Sequence, residues 1–233
     1  MSEDNFIEKL TELKIKCDKE KLDKLEKYYN LLVEYNKRVN LTAITEKEQV
    51  YLKHFYDSLT ICRVFDLEKK VYICDIGTGA WFPGIVLKIF FPNLDIVLVD
   101  SLNKRIMFLK EVIKKLNLTG IDAVHSRIED YAKKNKNIFD IVTARAVAPL
   151  NILLEYSIPI LKKSGIFIAL KGKEEDEIIY NNALKKLNSK IIKIDKFKLP
   201  FENSDRTIYK IERNGNIETK YPRKTWEIKN NPL

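Results

Sequence analysis

The sequence predicts an α/β protein built on a mostly parallel β-sheet, with a helical cap ahead of the sheet and an antiparallel strand pair at its C-terminal end. Three observations predict it. From residue 71 onward, short apolar runs alternate with helical stretches, the pattern of βαβ units. The first 65 or so residues instead place apolar side chains at three- and four-residue intervals, the stripe of amphipathic helices. Two long runs near the C-terminus are joined by a loop too short for a parallel crossover, so they should pair antiparallel.

In the cap, Phe6, Leu10 and Leu13 form a short stripe, and residues 19–38 carry a longer one through Leu22, Leu25, Tyr28 or Tyr29, Leu32 and Tyr35. "HFYDSLTICRVF" (54–65) continues in helical style. Strands are expected at 71–76, 94–100, 121–125, 139–145 and 165–171, with helices at 83–91, 102–117 and 149–162 between them. Such a sheet is covered on both faces, which suits strands that are nearly continuous apolar runs. A charged helix opens with "EEDE" at 174–177, where carboxylates face the positive end of the helix dipole. The antiparallel pair is 190–199 and 205–213, with Pro200 and Asn203 in the loop. The rest is polar, basic and proline-punctuated, and reads as a tail. The expected division is a cap over 1–66, a sheet domain over 67–215 and a basic tail over 216–233.

A chain of 233 residues with 45% hydrophobic content can bury a substantial core. No apolar run approaches the roughly 18 to 20 residues that span a bilayer, and the opening "MSEDNFIEKL" is acidic where a signal peptide would be basic, so a cytoplasmic location without membrane attachment is expected. Cys17, Cys62 and Cys74 are odd in number and widely spaced, and His54 and His125 are far apart, so neither a disulfide framework nor a metal site is expected. A net charge of +9 favours polyanionic partners, although a lysine- and asparagine-rich coding bias would give the same balance.

The segment "DIGTGAWFPG" (75–84) ends the first strand in a glycine-rich turn, the usual cofactor turn of an open α/β sheet. G-x-G-x-x-G would need glycine where Phe82 stands, so a dinucleotide is disfavoured, and no P-loop pattern is present. A carboxylate ahead of two glycines, Asp75 before Gly77 and Gly79, suits S-adenosylmethionine, whose sulfonium favours a nearby negative charge and whose amino-acid end favours close backbone approach. Asp100 ends the second strand 23 residues beyond Gly77, where a carboxylate can accept from both ribose hydroxyls.

Over residues 36–224 the chain carries, in order, "NLTAI" (40–44), "HFYDSL" (54–59), "DIGTGAWFPGI" (75–85), "LVDSLNKRIMFL" (98–109), "SRIED" (126–130), "VTARAVAPL" (142–150), "ALKG" (169–172) and "YPRK" (221–224). By these segments it resembles the bacterial small-subunit ribosomal RNA methyltransferase G family, also known as glucose-inhibited division protein B. The resemblance implies a Rossmann-like class I methyltransferase fold and methylation of N7 of a guanine in 16S ribosomal RNA. By the family's pattern Gly77 and Phe82 line the cofactor pocket, Ile128 and Glu129 hold the adenine end, and Arg145 closes the site. Trp81 stands where the family has glycine; if that position requires positive φ, the substitution costs on the order of 1 kcal/mol or more.

The chemistry narrows the target. Cytosine C5 would need a cysteine nucleophile near the fourth strand, and an exocyclic amine usually comes with an N/D-P-P-aromatic clamp where this chain has "ARAVAP". Guanine N7 already offers a lone pair and needs no general base. Arg145 suits the guanine edge, the neighbouring phosphate or the cofactor by its planar fork of donors, and the sequence leaves these alternatives open. His54 and Asp57, at i and i+3 on one helix, are expected within hydrogen-bonding reach. Lys171, Lys173, Arg223 and Lys224 are candidates for an RNA track. The expected partner is 16S ribosomal RNA or a small-subunit precursor, bound by a monomer. The competing reading is a catalytically silent RNA-binding or assembly factor whose pocket Trp81 blocks.

Overall fold

The computed structural model describes residues 1–78 and 82–233, so the expectations about Gly79 and Trp81 fall outside the described residues. The chain opens with α1 (Glu3–Glu12), capped by the Ser2 hydroxyl, and α2 (Lys19–Val39), capped by the Asp18 carboxylate. Each cap accepts from an otherwise unpaired N–H of the first turn. Asn40 ends α2 in the left-handed region at φ 48, which asparagine tolerates better than most residues. Next comes a compound helix: α3 (Lys47–Val50), a π-helical stretch (Tyr51–Tyr56), α4 (Asp57–Leu59) and a 3-10 turn (Thr60–Arg63). It begins earlier than the apolar stripe at 54–65 indicated, because its first turn is polar and exposed.

The alternating region follows as β1 (Tyr72–Ile76), α5 (Gly84–Phe90), β2 (Asp95–Asp100), α6 (Asn103–Lys115), β3 (Ile121–His125), α7 (Ile128–Lys134), β4 (Phe139–Arg145), α8 (Leu150–Ser157), a 3-10 turn (Ile158–Ile160) and β5 (Leu161–Lys171). α9 (Glu177–Lys186), β6 (Ser189–Lys198), β7 (Asp205–Arg213) and α10 (Thr225–Asn230) complete it. The seven strands lie in the order β3-β2-β1-β4-β5-β7-β6. The first five are parallel, and β7 runs antiparallel to both β5 and β6. The expected mixed sheet with its antiparallel pair is therefore present. The helix expected over 149–162 stops at Ser157, since Pro159 has no N–H to continue it, and β5 starts four residues before the expected 165 because Lys162, Lys163 and Ser164 are exposed and give no apolar signal.

Two apolar clusters cover the two faces of the sheet. One joins the cap to α5 and α6 through Phe6, Tyr28, Phe55, Phe82 and Phe108, so the cap and the sheet share a core. The other packs α8 and α9 through Leu153, Leu154, Tyr180 and Tyr209. The stretch read as a tail is docked on this second cluster, with Tyr221 and Ile228 buried. A six-residue helix with one buried apolar residue is too short to show periodicity, so its docking is invisible in sequence. Among the described residues, no helix is long and apolar enough to cross a membrane, and no His/Cys/Asp/Glu group could hold a metal ion.

Candidate active site

β1 hands over to the glycine turn at Gly77, whose φ is +60 and whose N–H donates to the Val99 carbonyl at 2.9 Å. A Cβ there would stand 2.8 Å from Val147 Cγ2, so both the left-handed backbone and the close approach of the loop after β4 require glycine. Asp75 is completely buried beneath this turn. Its Oδ2 accepts from the Thr78 hydroxyl at 2.8 Å and from the Gly84 N–H at 2.9 Å, tying the start of the loop to the first turn of α5. Oδ1 has no partner among the described residues, and burial pushes the carboxyl up to about 7. Asp75 thus latches the turn from below and is not among the side chains lining the cleft above it. Pro83 stands at the N-cap of α5, so the helix expected over 83–91 begins one residue later, at Gly84.

The cleft lies at the carboxyl ends of β1, β2 and β4 and has a volume of about 560 Å³. Gly77, Phe82, Asp100, Ile128, Glu129 and Arg145 all line it, although they come from four separate stretches of chain. The reason is topological: the ends of parallel strands beside the central crossover share one crevice. Asp100 is buried, with Oδ1 accepting from the Leu102 N–H at 2.9 Å and Oδ2 from Arg105 at 3.2 Å. Ile128 and Glu129 open α7 directly after β3. Glu129 is 4% exposed and accepts from the Thr225 hydroxyl at 2.5 Å. Thr225 was not singled out in the sequence, nor were the lining residues Val147, Tyr156 and Lys229. None of them belongs to a pattern that spacing could reveal.

Arg145 ends β4 inside a cage supplied by the cap. Its Nη1 donates to the Lys53 carbonyl at 2.9 Å and lies 3.4 Å from Asp57 Oδ2, while Nη2 lies 3.3 Å from His54 Nδ1. The guanidinium sits 5.0 Å from the centre of the Phe82 ring, on which the His54 imidazole also stacks. Burial lowers the Arg145 pKa from its ordinary value, and the Asp57 and Asp75 carboxylates oppose that shift. Burial and the Arg145 charge bring His54 down to about 3, so the imidazole is neutral at physiological pH. A guanidinium only donates, so Nδ1 is the accepting nitrogen and Nε2 carries the proton, facing Thr42 Oγ1 at 3.5 Å. The expected His54–Asp57 hydrogen bond is replaced by a shared grip on Arg145. Asp57 Oδ1 is taken by Arg206 at 3.0 Å.

Of the four residues named for an RNA track, Lys173 and Lys224 are exposed and form no ion pair among the described residues. Lys171 is committed to Glu175 at 2.5 Å and to the Ala148 carbonyl at 2.6 Å. Arg223 turns inward onto Glu155, with Nε and Nη2 donating to the two carboxylate oxygens at 2.8 and 2.7 Å.

Residues 21–206 match the family model described as rRNA small subunit methyltransferase G. The chain belongs to this family. A ribosomal RNA small subunit methyltransferase G from Thermoanaerobacter sp. (strain X514) is 47% identical over 216 residues, 91% of this chain and 90% of that protein. One from Bacillus thuringiensis (strain Al Hakam) is 46% identical over 228 residues, 96% and 95% of the two chains. Among solved structures, M. jannaschii TYW2 in complex with AdoMet superposes with a TM-score of 0.50 at 17% identity, covering 62% of this chain and 69% of that one, a likeness of fold.

Proposed function

We propose that this member of the methyltransferase G family transfers a methyl group from S-adenosylmethionine to N7 of a guanine in 16S ribosomal RNA, acting as a monomer in the cytoplasm on RNA or a small-subunit precursor. Family membership makes the chain a methyltransferase of small-subunit ribosomal RNA with S-adenosylmethionine as cofactor. The residues fit that group. Gly77 offers backbone without a side chain, Asp100 offers a carboxylate for ribose hydroxyls, and Ile128 offers apolar surface beside Glu129. When bound, the cofactor supplies a methyl group activated by its sulfonium charge.

What supports the N7 assignment is a caged arginine at the cleft whose neighbours His54 and Asp57 are both already committed to arginine. His54 is neutral, but its Nδ1 is occupied by Arg145; Asp57 is occupied by two arginines. Cys74 is buried within β1 with its thiol pKa raised, so a cysteine nucleophile is not at hand. Guanine N7 needs neither, because its lone pair takes the methyl group without loss of a proton. Arg145 would orient the purine by its O6/N7 edge or hold the adjacent phosphate, and the cleft would align the two partners.

The test is methyl transfer from labelled S-adenosylmethionine to 16S RNA purified from a strain lacking the enzyme, followed by mapping of the modified nucleotide. Incorporation at a guanine N7, lost in Arg145→Ala, supports the reading; no incorporation overturns it. The silent-binder alternative turns on Trp81, outside the described residues, and predicts no heat on titration with S-adenosylmethionine.

A further inference from the structure

The segment after β7 reaches back to the cleft. Arg223 grips Glu155 on α8 with its side chain and also donates its backbone N–H to Oε1 at 2.9 Å. Glu155 is fully buried, so this is an internal anchor. Ile228 is buried on the same side, and Asn151 of α8 donates to the Leu233 carbonyl at 3.5 Å. Two residues beyond Arg223, Thr225 donates to Glu129 Oε1, and one turn further along α10, Lys229 lines the cleft.

Glu129 sits on the cleft wall with that hydroxyl as its one hydrogen-bond partner among the described residues. A carboxylate held by one oxygen keeps the other in a fixed place as an acceptor. At the carboxyl end of β3, beside Asp100, that acceptor suits the hydroxyl or amino donors of a nucleoside.

We propose that residues 221–233 form a strap completing the adenosyl end of the cofactor cleft, with Arg223–Glu155 as its buckle and Thr225 as the positioning residue of Glu129. The inference rests on the cofactor reading above and deepens it. Thr225→Val keeps the shape and removes the donor; Thr225→Ser keeps the donor. Calorimetry with S-adenosylmethionine and S-adenosylhomocysteine should show Thr225→Val binding both about fivefold more weakly, with Thr225→Ser near wild type. KM for the cofactor should rise in parallel, while kcat at saturating cofactor and KM for RNA stay within about twofold. Equal cofactor affinity in Thr225→Val, or a defect confined to RNA binding, overturns the proposal while leaving the cofactor reading intact. Wild-type protein that binds neither compound overturns both.

Discussion

The His54 imidazole lies flat on the Phe82 ring, centroids 4.4 Å apart and planes 11° from parallel, while its Nδ1 faces Arg145 at 3.3 Å. One cap residue therefore holds both the aromatic of the cofactor turn and the arginine that ends β4. Burial first of all, and then the guanidinium against which protonation would set a second cation, lower its pKa from 6.5 to about 3.

Two buried groups should give opposing pH dependences. The unfolded chain protonates His54 below about 6.5 and the folded chain does not, so this contribution is full above 6.5 and is lost as pH falls toward about 3. Asp75 runs the other way. Its pKa rises from 3.8 to about 7, so its contribution is full below about 3.8 and is lost as pH rises through about 7. Urea unfolding between pH 4 and 6.5 should show stability falling with pH in His54→Gln and rising with pH in Asp75→Asn. Parallel profiles for the two variants would contradict the assignment.

Arg145→Lys keeps the charge but cannot reach the Lys53 carbonyl, Asp57 and His54 together. Methyl transfer should fall on the order of 100-fold in kcat/KM. If Arg145 acts on the acceptor as proposed, cofactor affinity by calorimetry should change far less.

Gly84→Ala puts a Cβ 2.2 Å from Leu98 Cδ2 and 2.9 Å from Asp75 Oδ2. The latch must shift, at a cost of about 2 kcal/mol in denaturant unfolding. Gly77→Ala meets Val147 at the cleft wall and strains a positive φ, so it should weaken S-adenosylmethionine binding as well as stability.

Glu155→Gln leaves Arg223 facing a neutral amide in a buried place. Removing one partner of a buried ion pair costs about 3 kcal/mol, which a melting curve would resolve. A change within error would mean that the strap is held by its apolar contacts instead.

Lys173→Ala and Lys224→Ala remove cations that no carboxylate neutralises among the described residues. If they meet RNA phosphate, each should lower the slope of log affinity against log salt by roughly 0.7, with little effect on cofactor binding. Arg223→Ala should instead show its main effect in stability.

The parts of the fold that were readable in sequence are those written locally. β2 and β4 are apolar runs, α2 is a stripe, and the loop after β6 is too short to cross over, so the sheet and its antiparallel strand follow from neighbours in the chain. Asp100, Ile128, Glu129 and Arg145 gather because strand ends in such a sheet share one crevice. What could not be read was pairing at a distance. Arg223 looks like any surface cation until Glu155, 68 positions earlier, is seen beneath it. Arg145 meets the Lys53 carbonyl across 92 positions, and a backbone oxygen has no sequence signature. Asp75 is marked by its motif, but the motif alone does not distinguish a latch under a turn from a group facing the ligand.

The strand order carries a consequence for biosynthesis. β7, the seventh strand in chain order, slots between β5 and β6, so the facing edges of those two strands stay unsatisfied until Asp205–Arg213 has left the exit tunnel. Nascent chains arrested before residue 205 should therefore be protease-sensitive and aggregation-prone, and release of those nine residues should bring protection in a single step.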